Sequence, residues 1–317
     1  MSVALTSRRR TGFAPRLLRR VLYSLIALWA LLTIVFVMGH LIGDPTRLML
    51  DEGVSEQTRQ ALRDRLGLND PLWAQYWRAL TGWFSGDMGQ SFRLGVDTLP
   101  LALSRLPMTL LLVGVTVVIA YVVGTFFSVL SAMKPGYWAD RLLAGFSLFA
   151  VSVSDFWIGL MLILLFSAQL GLFPSSGFVG AISLVLPVLT LLAKPLGRIQ
   201  QVSRASMVDE LRKSYAVTAR SRGLARFGVL TRHVYRNTSA PVLTISTDEF
   251  TGMITGAVMV EYVFALPGIG SLLIDAVFAR DLPLVETCIV VLGIFVIAVN
   301  LILDIGLSML DPRIRES

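Results

Sequence analysis

Charge is scarce in this chain. Of its 317 residues only 15% are Asp, Glu, Lys or Arg, while 55% are hydrophobic. Soluble domains carry about 25% charge, so the shortfall points to lipid replacing water as the main solvent. Cysteine is nearly missing too. Cys288 stands alone, which excludes an intrachain disulfide and leaves it as a packing residue. The two histidines, His40 and His233, are far apart in the chain and suggest no metal site. No Gly-x-x-x-x-Gly-Lys-Ser/Thr phosphate cradle occurs, so no nucleotide cofactor is expected on this chain. A convincing nucleophile–base pair for an intramembrane enzyme is missing as well.

What the chain has in abundance is long apolar runs. A helix crosses a bilayer in roughly 20 residues. Residues 21–43 carry no formal charge with His40 neutral, and 106–133 carry none. The run 142–170 contains only Asp155, and 179–200 contains only Lys194 as far as Gly197. Within the expected span 239–262, residues 241–260 carry Asp248 and Glu249; within 285–310, residues 287–310 carry only Asp304. These runs are too long and too evenly apolar for barrel strands, which alternate over about ten residues. The expected fold is an all-α integral membrane protein with six transmembrane helices. The first run lacks a small-residue cleavage site and reads as an uncleaved span rather than a signal peptide.

The net charge of +7 raises the question of nucleic acid, but its distribution answers it. Basic residues crowd the segment 1–20, from Arg8 to Arg20. Lys134 and Arg141 follow the second span, and nine Lys and Arg lie from Arg198 to Arg236. Arg313 and Arg315 end the chain in the tail 311–317. All of these fall on one side of a six-span topology. The positive-inside rule then places both termini in the cytoplasm, with the loops 44–105 and 263–284 outside.

The outer loop 44–105 is too long for a plain connector. Ser55 can cap a short helix that ends near Leu66 and Gly67. Asp70-Pro71 is a second start signal, with Asp70 as the cap. Beyond it Trp73, Trp77, Leu80 and Phe84 fall on one helical face, suited to the membrane interface or to packing on the spans. On the inner side, 203–237 is too polar to cross. Met207, Leu211, Tyr215, Thr218 and Ala219 recur at helical spacing. Gly223 breaks the pattern, and Phe227, Leu230 and Val234 start another short helix. Lys194-Pro195 is expected to kink or end the fourth span.

Ionisable groups within spans cost several kcal/mol unless paired or hydrated, so each is a candidate for function. The set is Asp155, Lys194, Asp248 and Glu249, read as lining a polar pathway, with Asp304 as a packing or anchoring group. Adjacent Asp248 and Glu249 point about 100° apart, and Lys194 is their expected partner. Structural ion pairs are the plainer reading of the same residues. Gly252 and Gly256, four apart, allow close helix approach.

The segment Tyr215-Ala216-Val217-Thr218-Ala219-Arg220-Ser221-Arg222-Gly223-Leu224 resembles the EAA loop of binding-protein-dependent ABC importers. Arg232-His233, Arg236-Asn237 and Pro241 continue the likeness. Further stretches resemble the branch handling dipeptides, oligopeptides and nickel, in particular the first permease of its pair. They are Gly43-Asp44-Pro45, Leu66-Gly67-Leu68-Asn69-Asp70-Pro71, Gly86-Asp87-Met88-Gly89, Glu261-Tyr262-Val263-Phe264, Pro267-Gly268-Ile269-Gly270 and Asp311-Pro312-Arg313-Ile314-Arg315.

The resemblance implies a type I ABC importer permease fold in a bacterial inner membrane. It also implies a second homologous permease, two ABC ATPase subunits or a fused pair holding ATP and Mg²⁺, and an external binding protein. The coupling loop would then comprise Asp209, Leu211, Tyr215, Thr218, Ala219, Arg220, Arg222, Gly223 and Leu224. Peptides lead as substrates, with nickel chelates, glutathione and sugars carried by other members. One departure stands out: the acidic residue and first alanine of the family motif fall on Val217 and Thr218, which unsettles any specific ion pair with an ATPase. The rival reading is an ion-coupled transporter or channel using the buried carboxylates.

Overall fold

The computed structural model describes residues 13–41, 55–66 and 68–310. The arginines up to Arg10, Gly43-Asp44-Pro45, Gly67 and the tail 311–317 lie outside the described residues, as does the Asp304 side chain. The described chain is helical. In order it forms α1 (Phe13–Leu41), α2 (Glu56–Leu66), α3 (Leu72–Ser85), α4 (Thr98–Met133), α5 (Trp138–Ser152) and α6 (Asp155–Leu162). A π-helical turn Ile163–Gln169 extends α6. Then come α7 (Val185–Glu210), α8 (Ser214–Ser221), α9 (Arg226–Val229), α10 (Tyr235–Val263), α11 (Ile269–Phe278) and α12 (Leu282–Leu310). A lone antiparallel bridge, Gln90 to Asp97, is the β-type pairing among the described residues.

Four helical stretches are long and apolar enough to cross a membrane: 21–39, 98–133, 181–210 and 282–303. A bent pair, α5 with 155–169, makes a fifth. The third expected span is therefore broken. Val153 and Ser154 take extended backbone angles, and the two halves meet at 104°. At 29 residues α10 equals α12 in length, about 43 Å at 1.5 Å per residue. It falls outside the apolar set because it carries Asp248, Glu249 and a run of Ser and Thr.

The proline at 195 does not end the fourth span. It is buried, and α7 continues through it to Glu210. Helices in a bundle tolerate such a loss because neighbours and side chains satisfy the freed groups.

The core sits where α4, α7 and α10 meet, with Leu112, Val113, Leu186, Leu191, Met253, Ile254 and Ala257 all buried. Small residues set the spacing. A side chain on Gly197 would lie 2.8 Å from the Ser147 carbonyl of α5, so α5 and α7 touch backbone to backbone there. Buried Gln200 ties three helices: it accepts from Ser147 Oγ at 2.8 Å and donates to Ser131 Oγ at 3.3 Å, while its carbonyl accepts from Ser128 Oγ at 3.0 Å. One turn on, Arg204 grips buried Asp140 at 2.5 and 2.6 Å.

At the end of the bundle away from Gly223, two carboxylates anchor the loops. Glu261 is fully buried and accepts from Thr109 Oγ1 at 2.5 Å and from the amides of Gly270 and Ser271 at 2.7 and 3.2 Å. It caps α11, and a side chain at Gly268 or Gly270 would collide with it. Asp281, also buried, accepts from Ser91 Oγ and from the amides of Phe92 and Arg93 at 3.1 and 3.3 Å.

The loop before α4 differs from expectation at Asp70. Ser55 Oγ accepts from the Thr58 amide at 3.3 Å, starting α2. Asp70, expected to cap α3, instead ion-pairs with Arg78, and no side chain caps that helix. Leu80 shares the helical face of Trp73, Trp77 and Phe84 by its spacing, but lies at the inner edge of that face and is half-buried. It packs with Trp83 on a cluster from α1 and α12 that includes Leu32, Val35 and Val290, and Tyr76 bonds Thr33 of α1 at 2.7 Å. The two tryptophans and Phe84 remain exposed.

Candidate functional site

Two features carry chemistry that packing alone does not require. The first is a polar stripe on the exposed face of α10. On α10, residues Pro241, Thr244, Asp248, Gly252, Thr255 and Met259 are exposed at spacings of three and four, so they share one helix face. The corresponding stripe on α4 is Leu111, Val115, Val118, Val122 and Phe126. That stripe suits lipid; a stripe centred on an aspartate does not.

Two ion pairs border the polar stripe. Lys194 Nζ of α7 lies 3.2 Å from Asp155 Oδ2 at the start of α6. One turn later Arg198 Nη1 lies 2.9 Å from Glu249 Oε1 of α10. The Glu249 side chain is 8% exposed and that of Arg198 57%, so the guanidinium covers the carboxylate and keeps an open side of its own.

This pairing corrects the expectation that Lys194 serves Asp248 or Glu249. Lys194 instead takes Asp155, whose position in the first turn of α6 also favours a negative charge. Arg198, read from sequence as the start of the inner basic cluster, lies within α7 and pairs with Glu249. Asp248, about 100° round the helix from Glu249, is exposed on the stripe. Gly256 lets α10 approach α7 and α6: a side chain there would lie 3.1 Å from Leu191 and 3.4 Å from Asp155. Gly252 has open space around it. On the other flank of the stripe Thr251 donates to Asn300 of α12 at 2.5 Å.

The second feature is the loop around Gly223. The helix expected from Met207 onward is two helices, because α7 runs to Glu210 and a turn separates it from α8. Met207, Leu211 and Ala216 are buried with Val229, Leu230 and Val234, and Tyr215 and Ala219 pack partly against them. Asp209, Thr218, Arg222, Gly223 and Leu224 are exposed. Gly223 has φ +86°, a left-handed conformation that costs an ordinary L-residue roughly 1–2 kcal/mol. Nothing lies within 4 Å of where its side chain would be, so the constraint there is backbone and not space.

Arg220 is tied down, donating to the Leu211 carbonyl at 3.0 Å, which leaves Arg222 as the freer of the two arginines. Glu210, which the sequence reading did not single out, accepts from the Tyr215 hydroxyl and the Lys213 ammonium. Burial and that carboxylate push the Tyr215 hydroxyl above its ordinary pKa. An acidic residue does anchor α8, therefore, although it sits before the motif and not within it.

Comparison with known proteins places the chain in one family. A model described as binding-protein-dependent transport system inner membrane component matches residues 124–316, and its N-terminal companion matches 14–113. The chain is 35% identical over 314 residues to the oligopeptide transport system permease protein AppB of Bacillus subtilis strain 168, covering 95% of this chain and 99% of that one. It is 34% identical to a peptide transport system permease protein of Brucella abortus strain 2308, with 94% and 98% covered. It is 33% identical to the glutathione transport system permease protein GsiC of Escherichia coli O6:H1, again with 94% and 98% covered.

A solved amino acid ABC transporter with histidines superposes with a TM-score of 0.51 at 19% identity, covering 69% of this chain and 99% of that one. It supports the helical fold alone. The rival reading of an ion-coupled transporter falls with these matches. The chain belongs to the binding-protein-dependent transport system inner membrane components, the membrane-spanning permease subunits of ABC importers.

Proposed function

We propose that this permease forms half of a translocation pathway for short peptides, the other half being a second homologous permease. The observation that carries this reading is the exposed polar stripe on α10. A face bearing Thr244, Asp248 and Thr255 is costly against lipid and needs a partner or water across from it. In this reading Asp155, Lys194, Asp248 and Glu249 border the pathway, joined by Arg198. The peptide assignment draws on the names of the peptide and oligopeptide permeases to which the chain is similar.

The same reading puts both termini and the Gly223 loop in the cytoplasm, in accord with the placement of the arginines. There α8 and the turn at Arg222, Gly223 and Leu224 seat on an ABC ATPase subunit that holds the ATP and Mg²⁺. Leu211, Tyr215 and Ala219 bind the loop back to the spans. Asp209, Thr218 and Arg222 face outward as contacts, and an external binding protein delivers substrate on the opposite side.

Thiol accessibility tests the pathway. The chain's own Cys288 is buried, so an introduced cysteine is the reactive thiol of this subunit, and labelling is read on this subunit's band. In membranes holding the assembled importer, Gly252→Cys should react with a membrane-impermeant thiol reagent, and Val118→Cys on the apolar stripe should not. Equal protection of both would remove the stripe from any aqueous path.

A further inference from the structure

The pathway residues carry a pattern that names the chemistry of the cargo. Arg198 is bonded to Glu249 through one nitrogen, and more than half of its side chain is open. Its remaining N–H donors are free to take a carboxylate, which guanidinium forks bind bidentately. Asp248 presents an exposed carboxylate with no ion-pair partner among the described residues. Around the stripe Lys194 is engaged by Asp155, and Glu249 by Arg198. One anionic and one cationic function therefore remain open, on the facing helices α10 and α7.

Their separation follows from helix geometry. Side chains 100° apart on a helix 10–12 Å across have tips roughly 8 Å apart. Arg198 sits one hydrogen bond beyond the Glu249 tip, which makes the gap about 8 to 11 Å. An extended chain spans at most ~3.3–3.6 Å per residue, so two to three residues bridge it.

Building on the pathway reading above, we propose that Asp248 and Arg198 form a two-point site for zwitterions: Asp248 takes a free ammonium and Arg198 a free carboxylate. The favoured cargo is a dipeptide or tripeptide with both termini uncapped. Gly252, one turn from Asp248 with open space around it, leaves room for the peptide backbone.

The test needs no binding protein. Membranes with the assembled importer carrying Gly252→Cys are labelled with the impermeant thiol reagent at millimolar Ala-Ala, N-acetyl-Ala-Ala or Ala-Ala-amide. Ala-Ala should slow labelling, and each capped form should protect about tenfold less well, the worth of one charge-assisted hydrogen bond. Adding Asp248→Asn should erase the difference between Ala-Ala and its N-acetyl form, whereas Asp248→Glu should keep it. Arg198→Gln made together with Glu249→Gln, which avoids stranding a buried charge, should erase the difference for the amide. Equal protection by all three peptides, or none by any, overturns the two-point site. A cysteine that never labels overturns the pathway reading beneath it.

Discussion

Removing Glu261 should loosen one end of the molecule by an amount that can be estimated donor by donor. Its carboxylate takes the Thr109 hydroxyl and two amides at the start of α11, all in a site closed to solvent. Glu261→Ala strands three donors. Each buried orphan costs about 1–3 kcal/mol, but the vacated space has the polar lining and size to admit a water that re-bonds some of them. The net loss should be about 4 kcal/mol. Glu261→Gln keeps the shape and one acceptor oxygen while losing the charge, so it should cost about 1–2 kcal/mol.

Thermal unfolding of the purified importer in detergent reads both. At about 2–4 °C per kcal/mol for a chain of this size class, the Ala variant should unfold on the order of 10 °C lower. Limited proteolysis should then open 264–278 before the rest. An Ala variant within about 2 °C of the parent, or a Gln variant less stable than Ala, would refute the claim that this carboxylate organises the loop.

Three other outcomes follow from the geometry. Gly223→Leu meets no steric obstacle but forces a left-handed turn on an L-residue, at a cost of roughly 1–2 kcal/mol. The complex should assemble while uptake per ATP hydrolysed falls, and normal coupled uptake would count against the loop's role. Gly197→Ala drives a methyl to 2.8 Å from the Ser147 carbonyl and should destabilise by about 1–3 kcal/mol, seen as a lower unfolding temperature. Arg198→Ala leaves Glu249 buried and unpaired, so adding Glu249→Gln should restore part of the lost stability; a strictly additive double variant would deny the pair.

The spans and the loop motif were legible because both are local. Hydrophobic runs report lipid contact residue by residue, and Gly223 breaks a helical pattern within a few positions of the residues that define it. What sequence hid was pairing. Lys194 is nearer in sequence to Asp155 than to Asp248 or Glu249, yet either partner was open until α6 turned away from α5 at Val153. Arg198 looked like one more inner basic residue because the end of the apolar run at Gly197 suggested the end of the span. The helix in fact runs on to Glu210. Glu261 and Asp281 appeared only as letters in a motif or a loop, since their donors come from residues 9 to 190 positions away.

The continuity of α7 has a mechanical consequence. The backbone contact of Gly197 with Ser147 makes a fulcrum, and the helix extends from it by unequal arms. Toward Glu210 the arm is 13 residues, about 20 Å; toward Lys194 it is three residues, about 4.5 Å. A tilt of about 10° moves the far tip by roughly 3.4 Å and Lys194 by about 0.8 Å. Set against a Lys194–Asp155 separation of 3.2 Å, that small movement is enough to loosen the pair. A broad stroke at the loop becomes a fine adjustment beside the charged stripe, and the gearing ratio is fixed by where one glycine sits along the rod.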